Sequence, residues 1–426
     1  MTLDIWMRLE DDGKTLYRSR MFLSNLEENR LSITEVRAMR SFHLSLGFIL
    51  QTVLTLSILA ACPQMPAQSK VGARKVITAY VFAKNRVLKD DEIAASKLTR
   101  INYAFANIQD GHLVSGFQHD EQNLATLVAL KQVNPSLTVL VSVGGWEWSG
   151  SFSDVAFTAA SRDVFVESVI QFIERSHIDG LDIDWEYPGQ AGSTNHFRPE
   201  DKSNFTLLVK QLRHRFDKEQ RHLHRRLYLT IAAGASSEYL AHTEMAVVQR
   251  YLDAINIMAY DYYEPGGATG NHAPLFTDPN DPKQISADRS VREFEQAGVP
   301  PYKIVLGVPF YGHVWGEVAD QHHGLFQAGS QTPQGYAPYG VIASTMLNNG
   351  FERYWSDSSS VPYLYNAQQK IFVSYEDAES LAIKSRYVID QHLGGIMFWD
   401  YEGDPQGVLL DAIYTGLTQH PKDIAP

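Results

Sequence analysis

The chain has 426 residues, 44% of them hydrophobic, with 29 glycines and 18 prolines, the profile of a folded globular protein rather than a repetitive or disordered one. Its formal charge of −12 argues against nucleic-acid binding by counterion release, which needs a basic surface. A single cysteine excludes an intramolecular disulfide framework and any zinc site built from cysteines.

Residues 1–38 mix acidic and basic side chains without a clear period. An uncharged apolar run follows at 44–61, LSLGFILQTVLTLSILAA, with Met39 and Arg40 shortly before it and Cys62 directly after. A basic start, an apolar stretch and small residues ahead of a cleavage point are the parts of a secretory signal. The closing LAAC resembles a bacterial lipobox, which implies lipidation of Cys62 as the first residue of the exported chain. A run of this length is also marginally long enough to span a bilayer, but Gln51 and several Ser and Thr residues weaken that reading. We therefore expect a spurious leader at 1–38 with Met39 as initiator, a signal peptide at 39–61 and a short tether at 62–74. The expected location is outside a bacterial cell, secreted or held at the outer surface, with membrane contact only through the lipid.

From residue 75 to 420 strand-like and helix-like segments alternate. Short β-branched or aliphatic runs occur at 76–82, 101–108, 137–143, 180–185, 227–233, 254–260, 303–309 and 394–399. Between them lie helical patterns: Val166, Val169, Ile170 and Ile173 form one apolar face, and Phe205, Leu208, Val209, Leu212 and Phe216 another. Eight strands alternating with helices predict an α/β fold, a (β/α)8 TIM barrel. The interval 310–393 is too long for one barrel helix. Its part at 314–373, rich in Tyr, Gly and Ser, is expected to be a small α+β insertion in the seventh βα loop, walling one side of a cleft.

The acidic residues concentrate in DGLDIDWEYPG, at 179–189. Side chains alternate along a strand, so Asp182, Asp184 and Glu186 share one face, with successive Cα atoms of the row about 6.5–7 Å apart. Carboxylates lined up in this way repel one another, which raises the proton affinity of at least one of them and suits a general acid working near neutral pH. A strand end also points into the C-terminal mouth, where barrel enzymes hold their active sites.

DGLDIDWEYPG matches the D-x-x-D-x-D-x-E signature of family 18 glycoside hydrolases, the chitinase family, at each defining position. SVGGW at 142–146, MAYDYY at 258–263, TGNHAPLF at 269–276, GVPFYG at 307–312 and GGIMFWDYEGD at 394–404 resemble its other segments, in the family's order. The resemblance implies that Glu186 protonates the glycosidic oxygen and that Asp184 turns between Asp182 and the acetamido N–H of the substrate. It implies that Tyr260 holds the acetamido group from its other side, that Asp261 contacts the sugar, and that Trp399 is the floor beneath the sugar being cleaved. In this family the acetamido oxygen attacks the anomeric carbon, so no enzyme carboxylate serves as nucleophile. Gly144 and Gly145, on the same resemblance, leave room for the sugar.

Further aromatic residues at or past the strand ends suit the apolar faces of pyranose rings: Trp146, Trp148, Tyr187, Tyr262, Tyr263, Tyr311 and Trp315. Trp146, Gly145, Tyr187, Met258, Asp261, Tyr311 and Trp399 are the expected substrate-binding set. One departure is His313, where the family often has arginine; an imidazole does not replace a guanidinium fork. Histidine-rich stretches at 213–226 and 322–323 read as solvated surface. A metal-dependent hydrolase using the carboxylate row is disfavoured, since no histidine accompanies it. A sugar-binding lectin on the same barrel is disfavoured because Glu186 is present. The expected activity is retaining, substrate-assisted hydrolysis of β-1,4 bonds in chitin or chito-oligosaccharides. An endo-β-N-acetylglucosaminidase or cell-wall glycan hydrolase is the alternative. No cofactor and no metal is expected, the partner is an N-acetylglucosamine-containing glycan, and the chain is expected to be a monomer.

Overall fold

The computed structural model describes residues 74–193 and 196–419. The leader, the signal, Cys62 and most of the tether lie outside the described residues. Among the described residues, no helix is long and apolar enough to cross a membrane.

Fourteen strands are described, β1 Val76–Val81, β2 Arg100–Gln109, β3 His112–Ser115, β4 Thr138–Gly144, β5 Gly180–Asp184, β6 Tyr228–Gly234, β7 Ala254–Met258, β8 Ile304–Pro309, β9 Tyr311–Gly316, β10 Ser330–Pro338, β11 Glu352–Ser356, β12 Val361–Asn366, β13 Ile371–Ser374 and β14 Gly395–Trp399. β1, β2, β4, β5, β6, β7, β8 and β14 pair in parallel, and β1 joins both β14 and β2, so this sheet closes into a barrel. The eight strand-like runs of the sequence are these eight strands. β3 folds back antiparallel on β2. The barrel strands are rich in Val, Ile, Leu and Ala because both of their faces are covered, with single polar residues pointing inward.

The helices α1 (Asp120–Ala129), α2 (Ala159–Ser176), α3 (Asp201–Leu223), α4 (Ala287–Gln296), α5 (Ala378–Asp390) and α6 (Val408–Thr418) are the longer ones around the barrel. α2 buries Val166, Val169, Ile170 and Ile173, and α3 buries Phe205, Leu208, Val209, Leu212 and Phe216, the two faces that the periodicity marks. Thr158 caps α2 and Asp377 caps α5, each through reciprocal bonds with the residue three positions on.

Between β8 and β14 the chain builds a second sheet in the order β10-β9-β13-β12-β11, antiparallel throughout. It has its own apolar cluster, which includes Tyr263, Trp315, Tyr363, Tyr365 and Phe372. Tyr263 and Trp315, expected at a cleft, are therefore core residues of this unit. Lys384 on α5, fully buried, is paired with the equally buried Glu376 and donates to the carbonyl of Ala273 at 2.6 Å. This ties α5 to the loop that follows β7.

Candidate active site

Register on the barrel brings polar side chains to one level inside it. Ser142 on β4, Asp182 on β5 and Thr230 on β6 are direct cross-strand neighbours. Asp182 is fully buried, and both of its oxygens are occupied. Oδ2 accepts from the Tyr80 hydroxyl at 2.8 Å and the Ser142 hydroxyl at 2.8 Å. Oδ1 accepts from the Thr230 hydroxyl and from Asn256 Nδ2 at 3.2 Å. Burial pushes this carboxyl up, while the Thr230, Tyr80 and Ser142 hydroxyls favour its charged form.

Asp184 ends β5, one layer above. It is buried, and its Oδ1 has no hydrogen-bond partner. Burial, then the charges of Glu186 and Asp182, hold its carboxyl well above the usual carboxylate range. Glu186 follows, also buried, and is pushed up to about 7 by burial; a hydrogen bond with Tyr187 acts downward and the charge of Asp261 acts upward. Near neutral pH, Asp184 and Glu186 together therefore keep at least one proton. Ser149 fixes this strand end. Its hydroxyl accepts from the Glu186 amide at 2.9 Å and faces the carbonyls of Gly145 at 2.9 Å and Asp184 at 3.1 Å.

Asp261 follows β7 in the left-handed region, with φ of 59°. The Tyr311 hydroxyl donates to its carboxylate at 2.6 Å, and His313 Nε2 lies 2.8 Å from Oδ1. His272 Nδ1 stands 3.5 Å from the same oxygen. Burial acts to raise this carboxyl, but the two imidazoles outweigh it and hold it well below the ordinary range. The neighbouring Tyr260 ring meets Tyr311 edge-on at 6.2 Å. Burial, then Asp261, pushes its phenol well above its usual value, so it stays protonated and able to donate.

These groups open onto one cavity of about 950 Å³, lined among others by Trp146, Asp184, Glu186, Tyr187, Met258, Tyr260, Asp261, Tyr311 and Trp399. Of the residues singled out by sequence, Asp182 lies beneath the cavity rather than on it. Trp148 and Tyr262 line the cavity too. Phe82, Phe105, Phe117 and Tyr239 also line it and carried no sequence signal beyond being aromatic. Phe105 stacks on Trp399, with ring centres 5.5 Å apart and planes at 21°. The peptide bonds before Phe105, Tyr187 and Asp400 are cis.

Gly145 is not among the residues lining the cavity; a Cβ there would stand 2.6 Å from the Phe105 ring, at a φ of 77°. At Gly144 a Cβ would meet the Asp184 carbonyl at 2.3 Å. The missing side chain at Gly145 thus makes room for Phe105, and that at Gly144, which lines the cavity, for the Asp184 backbone. Gly145→Ala should cost about 1–3 kcal/mol of stability through overpacking and backbone strain, read from a denaturant midpoint. A variant of unchanged stability that binds sugar poorly would instead return Gly145 to the sugar-clearing role.

The chain is 41% identical over 324 residues to Chitinase A1 of Niallia circulans, a match covering 71% of this chain and 46% of that protein. It thus spans about half the length of that curated relative. A family 18 N-acetylglucosaminidase from Paenibacillus barengoltzii superposes with a TM-score of 0.74 at 41% identity, over 80% of this chain and 99% of that one. Chitinase ChiW of Paenibacillus sp., described as a cell-surface-expressed multi-modular enzyme, superposes with a TM-score of 0.78 at 36% identity, over 81% of this chain and 43% of that one. The family model for glycosyl hydrolases family 18 matches residues 76–404, and the chain belongs to that family.

Proposed function

We propose that this chain is a retaining chitinase, cleaving β-1,4 bonds in chitin or chito-oligosaccharides with the substrate's own acetamido group as nucleophile. The observation that carries the reading is the pairing of Glu186, pushed up to about 7, with Asp184, whose Oδ1 is buried and unpartnered in the same cavity. Glu186 has a proton to give to the glycosidic oxygen. Asp184 has an oxygen free to accept the acetamido N–H, and orienting that group brings its oxygen toward the anomeric carbon. The developing positive charge on the ring formed by this attack then lies beside acidic side chains whose carboxyl groups are buried, where such stabilisation is strong. Tyr260, kept protonated, donates to the acetamido oxygen. Asp182, already saturated with donors, adds its charge from below to what holds the proton on Asp184.

A second reading is release of single N-acetylglucosamine units. It is favoured by the match along 99% of a neighbour described as an N-acetylglucosaminidase. Surface display fits the lipobox-like LAAC at Cys62 and the description of ChiW as cell-surface-expressed. Mass spectrometry should find a diacylglyceryl-modified Cys62 as the mature N-terminus, and an unmodified start downstream would remove the anchor.

Glu186→Gln keeps the shape and removes the transferable proton, so turnover of labelled chito-oligosaccharides should fall by at least ~10²-fold while binding persists. Near-normal turnover would overturn the assignment, and the product lengths in the same assay separate the two readings. The acid works only when protonated, so kcat/KM should fall as pH rises through about 7. Because the charge of Asp261 helps to hold that proton, Asp261→Asn should move this limb to lower pH.

A further inference from the structure

Asp261, His272 and His313 offer one carboxylate oxygen and two ring nitrogens that all lie within 4.8 Å of one another; Asp261 lines the cavity and the two histidines are buried behind it. They come from three differently anchored segments. Asp261 closes β7. His272 sits in the next loop, where its amide donates to the Ser374 hydroxyl at 2.8 Å and the adjacent Ala273 carbonyl is held by Lys384. His313 lies within β9, between β10 and β13.

Two details point beyond a simple hydrogen-bond network. His272 is fully buried, yet neither of its ring nitrogens makes a hydrogen bond; Nδ1 faces Asp261 Oδ1 at 3.5 Å without the alignment of one. His313 lies 3.2 Å from the Gly335 carbonyl through Nδ1, which leaves Nε2 facing Asp261. A backbone carbonyl on one ring nitrogen is the outer-shell contact that fixes a metal-ligating histidine in its tautomer.

We propose that Asp261, His272 and His313 form a binding site for a borderline divalent metal, of which Zn2+ is the representative, and that its occupation inhibits the enzyme reversibly. Imidazole and carboxylate donors suit such ions better than Mg2+ or Ca2+. With metal–ligand bonds of about 2.0–2.2 Å, tetrahedral ligand atoms stand about 3.4 Å apart. The His272–Asp261 contact at 3.5 Å already has that spacing, while the His313–Asp261 contact at 2.8 Å must open by about half an ångström. The ion takes the place of the proton between His313 Nε2 and Asp261, and that proton is released to solvent. A fourth position is left for water on the cavity side, where it meets the space a sugar would occupy. The inhibition rests on reading this cavity as the substrate site; the binding of the ion does not.

The test equilibrates the metal-stripped full-length protein with Zn2+ against a chromophoric chelator, and separately follows hydrolysis of a labelled chito-oligosaccharide as Zn2+ is added. One Zn2+ per chain should be retained, and it should raise KM with little change in kcat and be reversed by EDTA. Mg2+ at the same concentration should do neither. His313→Gln and, independently, Asp261→Asn should each weaken zinc retention by about tenfold or more, with circular dichroism reporting that each variant is folded. No retention by the wild type at about 100 μM Zn2+, or equal retention by both folded variants, would overturn the site. Retention without inhibition of an active protein would overturn the inhibitory role alone. An inactive protein that still retains zinc would count against the hydrolase reading and not against the metal site.

Discussion

Asp182 can sit at the centre of this barrel because donors reach it from four different strands. Tyr80 comes from β1, Ser142 from β4, Thr230 from β6 and Asn256 from β7. Two of these approach across the barrel interior, so closure of the sheet through β1 is a condition for satisfying the acid. An uncompensated carboxylate buried there would cost several kcal/mol. Once Asp182 is satisfied, it offers no free oxygen. Asp184 and Glu186, next along the same face, then stand over a fixed acid in a buried site and bind a proton more tightly than either would in water. The proton that the proposed reaction needs is thus held there by the packing of the barrel.

The opposite side of the cavity reverses the sign. Asp261 is only half-buried, and His272 and His313 hold it ionised, while Tyr311 gives it a further donor. Two carboxyl groups of one cavity are so driven apart, one kept protonated and the other charged, the arrangement that separates acid and electrostatic roles in hydrolases. The second sheet contributes directly, since Tyr311 and His313 lie on its strand β9. The buried Lys384–Glu376 pair holds the loop that carries His272.

The eight barrel strands were legible because parallel strands covered on both faces read as short, largely apolar runs, separated by helical patterns from residue 75 onward. The acidic row at Asp182, Asp184 and Glu186 was legible because alternation along a strand needs no tertiary knowledge. The donors around Asp182 had a fainter signal. Ser142, Thr230 and Asn256 are single polar residues inside apolar runs, a pattern that marks an inward polar contact without naming its partner. Phe82, Phe105 and Phe117 gave less, because a phenylalanine at a strand end is as readily core as cleft. The same ambiguity ran the other way for Tyr263 and Trp315, which fill the core of the second sheet. The need for glycine at 145 gave no signal of its cause, since the Phe105 ring that fills the Cβ position comes from another strand. His313 showed in the sequence as a departure from the family, but its pairing with Asp261 and His272 depends on how β9 sits beside β7 and could not be read from spacing.

The central claim is that the substrate supplies its own nucleophile, because Asp182 is sealed below the cavity and Asp184 has an oxygen free for an acetamido group. Internal attack followed by attack of water inverts the anomeric carbon twice. NMR of the first minutes of chito-oligosaccharide hydrolysis, before mutarotation mixes the products, reads this outcome directly. The β-anomer should appear first. An initial α-anomer would mean a single displacement by water and would contradict the account.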